Sequence, residues 1–227
     1  LMILDLVASG NWERPIYFVS PGQGNSSNIR DYFQLEGFAS RLVPIKTPYN
    51  AQSPGRINTA ILYENYMNKF KWGNIGDPDV YIDENIRRTV RIVRFRANFA
   101  RLANNLIAEN KIDSAKNVLN RCVEILPHEK DPFDFFDVPF VEALFKAKES
   151  EKALELIDKM VYTAEDDLNY YFSLPSKFAG GVETEKQMAL ALINQLANIS
   201  GRNGQSDKSE ELNNKLNSFI AMSPFME

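Results

Sequence analysis

The sequence predicts a mainly α-helical fold, in which a tetratricopeptide-like helical repeat array follows a small N-terminal α+β element. Three observations predict this arrangement. Strand-like segments are confined to the first part of the chain, and from Ile57 onward apolar residues recur with the spacing of a helix face. One helix pair then fits the tetratricopeptide pattern, and part of that pattern recurs. Hydrophobic residues make up 44% of the chain, which is enough to build a sizeable core.

The α+β element is expected to span residues 1–56. Residues 1–8 are apolar apart from one aspartate, and they predict a short buried helix. The runs at 15–20 and 40–45, PIYFVS and SRLVPI, carry β-branched and aromatic side chains and predict two strands. Proline, glycine and serine are frequent over 47–56, which predicts a linker to the helical region.

Residues 57–227 are expected to be α-helical, because the apolar-periodic segments have recognisable start signals. Asp83 is a predicted N-cap, and Asp131 precedes a proline at the first helical position. Thr184 and Gln187 have the spacing of a capping box. The predicted helices cover 57–73, 83–110, 114–126, a segment from 132, 151–168, 184–200 and 207–222.

The repeat pattern is clearest over residues 96–165. Taking Pro127 as the proline that closes a tetratricopeptide helix pair places apolar or small residues at every position that requires them. Ala153 then repeats Ala115 after 38 residues, and a degenerate terminal pair is expected over 184–224. A plain helical bundle without repeats is the alternative. The pattern positions are Phe99, Leu102, Ala103, Leu106, Ala115, Leu119 and Cys122.

A stacked array of this kind usually binds a protein or peptide partner on its concave face. The repeat register predicts that this face carries Ala100, Asn104, Val138, Glu142 and Phe145. Two of these are large apolar residues, so the N-terminal element could instead fill the face from within the chain. We favour that filling over an open site.

Arginine is concentrated between residues 87 and 101. On one continuous helix Arg87, Arg91 and Arg94 share a face, which would suit an anionic lipid, a phosphate or an acidic partner. The alternative is a solvated face that the preceding acidic loop balances, and this is the interpretation that we favour.

The composition excludes several function classes. A single cysteine and a single histidine exclude multi-cysteine and histidine-rich metal sites, so neither a metal nor a cofactor is expected. Cys122 occupies a small-residue core position, and His128 follows a proline at a helix end, so neither is expected to be catalytic. The net charge of −4 argues against a nucleic-acid partner. No apolar run is long enough to cross a bilayer.

Four segments resemble a known family. They are NWERPIYF at 11–18, DYFQLEGFASRLVPIK at 31–46, MNKFKWGN at 67–74 and FRANFARLANNLIAENK at 95–111. In these segments the chain is similar to the C-terminal soluble region of large bacterial membrane proteins of unknown function. That family is similar in turn to GT-C type glycosyltransferases, including protein O-mannosyltransferase-like enzymes. The resemblance fades beyond about residue 180.

The resemblance implies a non-catalytic appendage at the periplasmic face of the inner membrane. The family's catalytic residues lie in its membrane part, so none is carried onto this chain. The partners would be that membrane part and an acceptor polypeptide. Because the first residue is a leucine, we expect the chain to continue upstream. A free-standing scaffold that binds proteins is the second hypothesis, and an enzyme in its own right is the third.

Overall fold

In the computed structural model the chain is mainly helical, with a small sheet near its N-terminus, which confirms the predicted fold class at that level. The structure describes residues 2–19, 29–47, 55–92 and 94–222, with the side chains of 90–92 and 176 left out. Most of the predicted linker, 48–54, therefore lies outside the described residues, as does Pro224 of the terminal pair.

The sheet lies between the first and second helices in the chain, and the remaining helices follow it. A π-helical turn, Asn65–Lys69, continues α2, and 3₁₀ turns at Phe135–Asp137 and Gly180–Val182 precede α6 and α9. The helices are α1 Met2–Gly10, α2 Thr59–Glu64, α3 Glu84–Ile92, α4 Phe95–Ala108, α5 Ile112–Ile125, α6 Val138–Lys146, α7 Ser150–Ser173, α8 Ser176–Ala179, α9 Glu183–Arg202 and α10 Ser206–Ala221.

The sheet combines two predicted strands with two that the sequence did not reveal. Its strand order is β1-β3-β2-β4, with β2 antiparallel to β3 and parallel to β4. The predicted strands appear as β1 Tyr17–Phe18 and β3 Ser40–Leu42. β2, Phe33–Leu35, has only three residues, too few to establish an alternating pattern, and its polar Gln34 is buried with the two apolar residues. β4, Arg56–Ile57, is too short to give a sequence signal.

The first helix is present, but the prediction that it is buried was wrong. None of its residues is buried, and Met2, Leu4 and Leu6 are 74%, 61% and 52% exposed. An apolar sequence predicted burial on composition alone. The rest of the chain leaves this helix at the edge of the fold.

The predicted long helix over 83–110 is two helices. Asp83 caps α3 as predicted, since its Oδ1 accepts hydrogen bonds from the Asn85 and Ile86 backbones. The chain then breaks before α4, where Arg94 has a left-handed φ of 53°. This break gives α4 its own direction, so that it runs through the core while α3 stays at the surface.

Several predicted helix starts were also wrong. Asp131 is buried in an ion pair rather than capping a helix, and α6 begins only at Val138. No side chain caps α9, because Gln187 donates a hydrogen bond to the Glu183 carboxylate instead. The helix predicted over 57–73 ends with the π-helical turn at Lys69.

Three helix pairs, α4–α5, α6–α7 and α9–α10, are joined by turns of the same geometry. Each first helix ends in a left-handed residue, with φ of 59° at Asn110, 62° at Lys148 and 76° at Gly204. In each turn the next backbone N–H donates back across the helix end, the Schellman pattern. These bonds run from Lys111 to Leu106, Glu149 to Leu144 and Gln205 to Ser200, at 2.8, 3.0 and 2.9 Å.

The pattern positions of the first pair lie in the core, as the sequence predicted. All seven are between 0% and 3% exposed, and Ala153, Ile157 and Met160 of the second pair are at 0%. Small residues at 103, 115 and 153 let the paired helices approach closely. Both helix pairs therefore contribute these residues to the core.

One hydrophobic cluster runs from the sheet into all three helix pairs. Tyr66 carries this continuity, because its ring stacks on Phe99 at 4.4 Å and its hydroxyl donates to the Gly37 carbonyl at 2.9 Å. Arg101 of α4 donates to the Gly55 carbonyl at 3.1 Å, next to β4. The N-terminal element therefore packs on the start of the array and shares its core.

The left-handed turns predict a stabilising substitution. Lysine has a Cβ that disfavours the left-handed region, and glycine does not. We expect Lys148→Gly to raise the free energy of unfolding by about 0.5 to 1 kcal/mol, net of the larger entropy of unfolded glycine. Urea denaturation would measure the change.

Gly204→Ala is the matched control for this prediction. A Cβ at Gly204 meets no atom within 4 Å, so only backbone strain changes. We expect a loss of about 1 kcal/mol there. If Lys148→Gly instead destabilised the protein, the backbone of that turn would not be under strain.

Candidate functional site

In the described part of the helical region, a cleft opens between α5 and α7, and we call it the α5–α7 cleft. It encloses about 390 Å³. Its floor is apolar, and the segment that joins α5 to α6 closes one side. The floor residues are Leu119, Val123, Phe133, Leu144 and Leu156.

Two polar bridges cross the cleft. Lys152 on α7 donates to the Asn120 Oδ1 on α5 at 2.9 Å. Lys159 lies two helical turns further along α7, where its Nζ is 3.1 Å from both Glu129 and Glu155 carboxylates. The bridges frame an opening about 10 Å long, because each helical residue rises 1.5 Å. An apolar floor with a charged rim is the usual anatomy of a surface that takes a side chain from a partner.

His128, the only histidine in the sequence, lines this cleft. The Phe133 backbone N–H donates to His128 Nδ1 at 3.1 Å, so the neutral ring carries its proton on Nε2. Nε2 lies 3.3 Å from the Thr163 hydroxyl. Burial lowers the pKa of His128, and protonation would break the bond to Phe133. His128 is therefore a structural hydrogen-bonding residue that joins the connecting segment to α7.

Behind the cleft lies a buried arginine. The guanidinium of Arg96, 3% exposed, lies 3.7 Å from the centroid of the Phe133 ring. Its Nη1 lies 3.4 Å from Oδ2 of Asp131 and 3.0 Å from Oδ2 of Asp137. Its Nη2 donates a hydrogen bond to the Leu126 carbonyl at 3.3 Å. These bonds attach the segment between the first two helix pairs to α4.

Burial raises the pKa of Asp137 to about 6, although the Arg96 guanidinium favours its charged form. Asp137 therefore binds a proton more tightly in the folded chain than in the unfolded chain. Its contribution to stability is greatest in acid and falls as the pH rises towards 6.

The predicted partner-binding face lies away from this cleft. Val138 and Phe145 are only 5% and 7% exposed, because α6 packs against α4, α7 and α9. Asn104 and Glu142 are half-buried, and Ala100 is buried. Both apolar side chains of that face are core residues in this structure.

The three arginines of the predicted patch do not share a helix face. Arg87 is half-buried, and its Nε lies 3.7 Å from the Asp131 carboxylate. Arg94 is exposed at the break before α4, beyond the end of α3. The side chain of Arg91 lies outside the described residues. The predicted face required an unbroken helix through residue 94.

The α5–α7 cleft was missed because its residues have ordinary core and surface patterns. Val123 is an apolar residue of α5 that is 38% exposed, and this exposure is the local feature that marks the cleft. The position of a gap between two helices depends on how the helix pairs stack on each other. The pattern of residues along a single sequence does not predict this stacking.

Within the described ranges no group of three or more potential ligands is placed to hold a metal ion. Cys122 is buried, and burial raises the pKa of its thiol, which disfavours the reactive thiolate. Among the described helices, none is long and apolar enough to span a membrane.

Comparison with known proteins gives one finding. Residues 1–61 match the family model described as TMEM260-associated domain 2, which ties this part of the chain to a TMEM260-related family. No curated protein and no solved structure matches the chain. The matched residues include the sheet and the start of α2, and they end before the helix pairs begin.

Arg96 should be essential for stability. Arg96→Met removes the charge that compensates two buried carboxylates, and we expect the free energy of unfolding to fall by about 3 to 5 kcal/mol. Adding Asp131→Asn and Asp137→Asn should restore much of that loss. Chemical denaturation of the single and triple variants would measure both. An equal loss in the two would show that Arg96 acts through packing alone.

The pKa of His128 should be lower in the folded chain than in the unfolded chain. We expect NMR titration to place the pKa of His128 below that of the urea-unfolded chain. The unfolded chain then takes up the proton first, so acid destabilises the fold as the pH falls from about 6.5 through the folded pKa. A folded pKa at or above the unfolded one would contradict the assigned hydrogen bonds.

Proposed function

We propose that this chain is a non-catalytic protein-interaction domain that binds a polypeptide in the α5–α7 cleft. The proposal rests on the apolar floor of that cleft, which lies between the polar bridges formed by Lys152 and Lys159. A partner side chain that enters it would bury apolar surface at about 25 cal/mol per Å². The bridges would limit how wide that side chain can be.

The three equivalent turns support a tetratricopeptide-like repeat. Each of the three turns has the same backbone hydrogen bond and a left-handed residue. The residues at the packing positions of the first two pairs are all buried. A repeat unit cannot bury its apolar face alone, so stacked units form an extended surface. Such surfaces bind peptides and proteins.

We further propose that the domain is the C-terminal appendage of a membrane-embedded GT-C-like glycosyltransferase, at the periplasmic face of the inner membrane. The support is the family resemblance of the four segments. Two of them, 11–18 and 31–46, lie inside the residues that match TMEM260-associated domain 2. The polypeptide bound in the cleft would then be the acceptor for the sugar, delivered to the membrane part.

A free-standing scaffold is the second candidate function. It uses the same cleft and the same repeat surface, and it differs only in having no membrane part. The two proposals therefore differ in what the native protein is attached to, and that can be measured directly.

Membrane fractionation of the source cells distinguishes the two proposals. With an antibody against this chain, the appendage should give a band far above 25.9 kDa that only detergent releases from the membrane. A soluble band near 25.9 kDa would reject the appendage in favour of the scaffold. In the full protein, deleting the domain should impair acceptor use more than donor binding, and equal losses would count against an acceptor-binding role.

Val123→Glu tests the cleft itself. We expect a peptide selected from a displayed library against this chain to bind the variant about tenfold more weakly or worse, because the charge stands on the apolar floor. Ile220→Glu on α10 is the matched control, since Ile220 is similarly exposed, at 43% against 38%. Isothermal titration would compare them. Equal affinities for the wild type and Val123→Glu would remove the cleft from the proposal.

A further inference from the structure

A second groove lies where the N-terminal sheet meets the helices, which we call the Phe38–Trp72 groove. It encloses about 460 Å³ and is open on one side. Phe38 comes from the turn between β2 and β3, Trp72 follows the π-helical turn, and Phe95 begins α4. Elements that are far apart in sequence therefore build one aromatic floor.

The floor is rigid. The Phe38 ring stacks on Phe95 with centroids 5.6 Å apart, and the Trp72 ring meets the two edge-on at 5.9 and 5.7 Å. The indole N–H of Trp72 donates to the Tyr66 carbonyl at 3.3 Å. Because its polar group is already satisfied, Trp72 offers the groove only its apolar ring surface.

The rim of this groove is cationic. Lys69 and Lys71 are exposed on either side of Phe70, and none of the described residues that line the groove is acidic. Neither lysine forms an ion pair with any residue in the described ranges. By contrast, most lysines of the helix pairs are paired with a glutamate or an aspartate. In a chain of net charge −4, these two lysines give the aromatic floor a local positive charge.

We propose that the Phe38–Trp72 groove binds an acidic peptide segment, with an aromatic or aliphatic side chain on the floor and neighbouring carboxylates on Lys69 and Lys71. The apolar floor and the cationic rim match that combination, through burial and through charge complementarity. This surface is distinct from the α5–α7 cleft and does not depend on the function proposed for it.

Three other classes of ligand fit the groove less well. An aromatic floor attracts cations, but the two lysines repel them. A nucleic acid needs a broader basic surface than two lysines on an acidic protein. An anionic bilayer offers charge to the lysines, but it offers no single side chain to fill the space of about 460 Å³ above the rings. An acidic peptide with one apolar anchor is the ligand that reaches both the floor and the rim.

Tryptophan fluorescence tests the proposal. The chain has two tryptophans, so Trp12→Phe leaves Trp72 as the sole reporter. The probe is a capped hexapeptide of sequence Asp-Glu-Phe-Leu-Asp-Glu, and its counterpart carries lysine at every acidic position. We expect the acidic peptide to shift the Trp72 emission saturably, with an affinity that weakens as salt is added. The basic counterpart should cause no saturable change.

Charge reversal at the rim separates this groove from general electrostatics. Lys69→Glu with Lys71→Glu should weaken binding of the acidic peptide by about tenfold or more. Lys148→Glu with Lys177→Glu is the matched control, because it makes the same change in net charge at exposed lysines outside the groove. The control pair should bind as the Trp12→Phe parent does. Circular dichroism and thermal unfolding would verify that both double variants fold.

Four outcomes would overturn the proposal. They are equal binding of the acidic and basic peptides, an equal loss in the two double variants, binding without a change in Trp72 emission, and stronger lysine-dependent binding of phosphatidylglycerol vesicles than of the peptide. The last would identify a membrane surface as the ligand. Val123→Glu should leave this binding unchanged, so failure here is distinguishable from failure of the α5–α7 cleft.

Discussion

The buried guanidinium of Arg96 is the interaction on which the arrangement of the helix pairs depends. It projects from α4, and it bonds to carboxylates and carbonyls of the segment between α5 and α6. A charge that is 3% exposed is tolerated only where opposite charge and hydrogen bonds surround it. Those partners occur in one arrangement of the connecting segment, so Arg96 determines how the second pair begins relative to the first. The position of Phe133, and with it one wall of the α5–α7 cleft, follows from the same contact.

The repeated turn supplies the second constraint, and it acts locally. Each pair closes through the same Schellman hydrogen bond and a left-handed residue, although the residue at that position is Asn110, Lys148 or Gly204. Only glycine adopts this conformation without strain, so the lysine retains it because the paired helices on both sides require it. The geometry of the pair therefore overrides the preference of the individual residue.

The two openings have different chemistry, which follows from the elements that build them. The α5–α7 cleft lies between equivalent helices of successive pairs, and its lysines are engaged in bridges with residues of the chain. The Phe38–Trp72 groove lies between the sheet and the first pair, and its lysines have no such partners among the described residues. The paired lysines of the α5–α7 cleft leave a partner only the shape and the apolar area of the cleft to recognise. The unpaired lysines of the Phe38–Trp72 groove also attract a negatively charged partner, and this attraction acts before the two molecules are in contact.

The sequence by itself determined the helical class, the paired core positions from Phe99 to Cys122, the cap at Asp83 and the burial of the thiol. Each of these depends on residues within a few turns of one another, where periodicity and capping are local. The tertiary structure alone decided that α1 is exposed, that the chain breaks at Arg94, that Asp131 pairs with Arg96, and where the two openings lie. These features depend on contacts between residues distant in the chain, such as Arg96 with Asp137 and Phe38 with Phe95, and local pattern carries no record of such contacts.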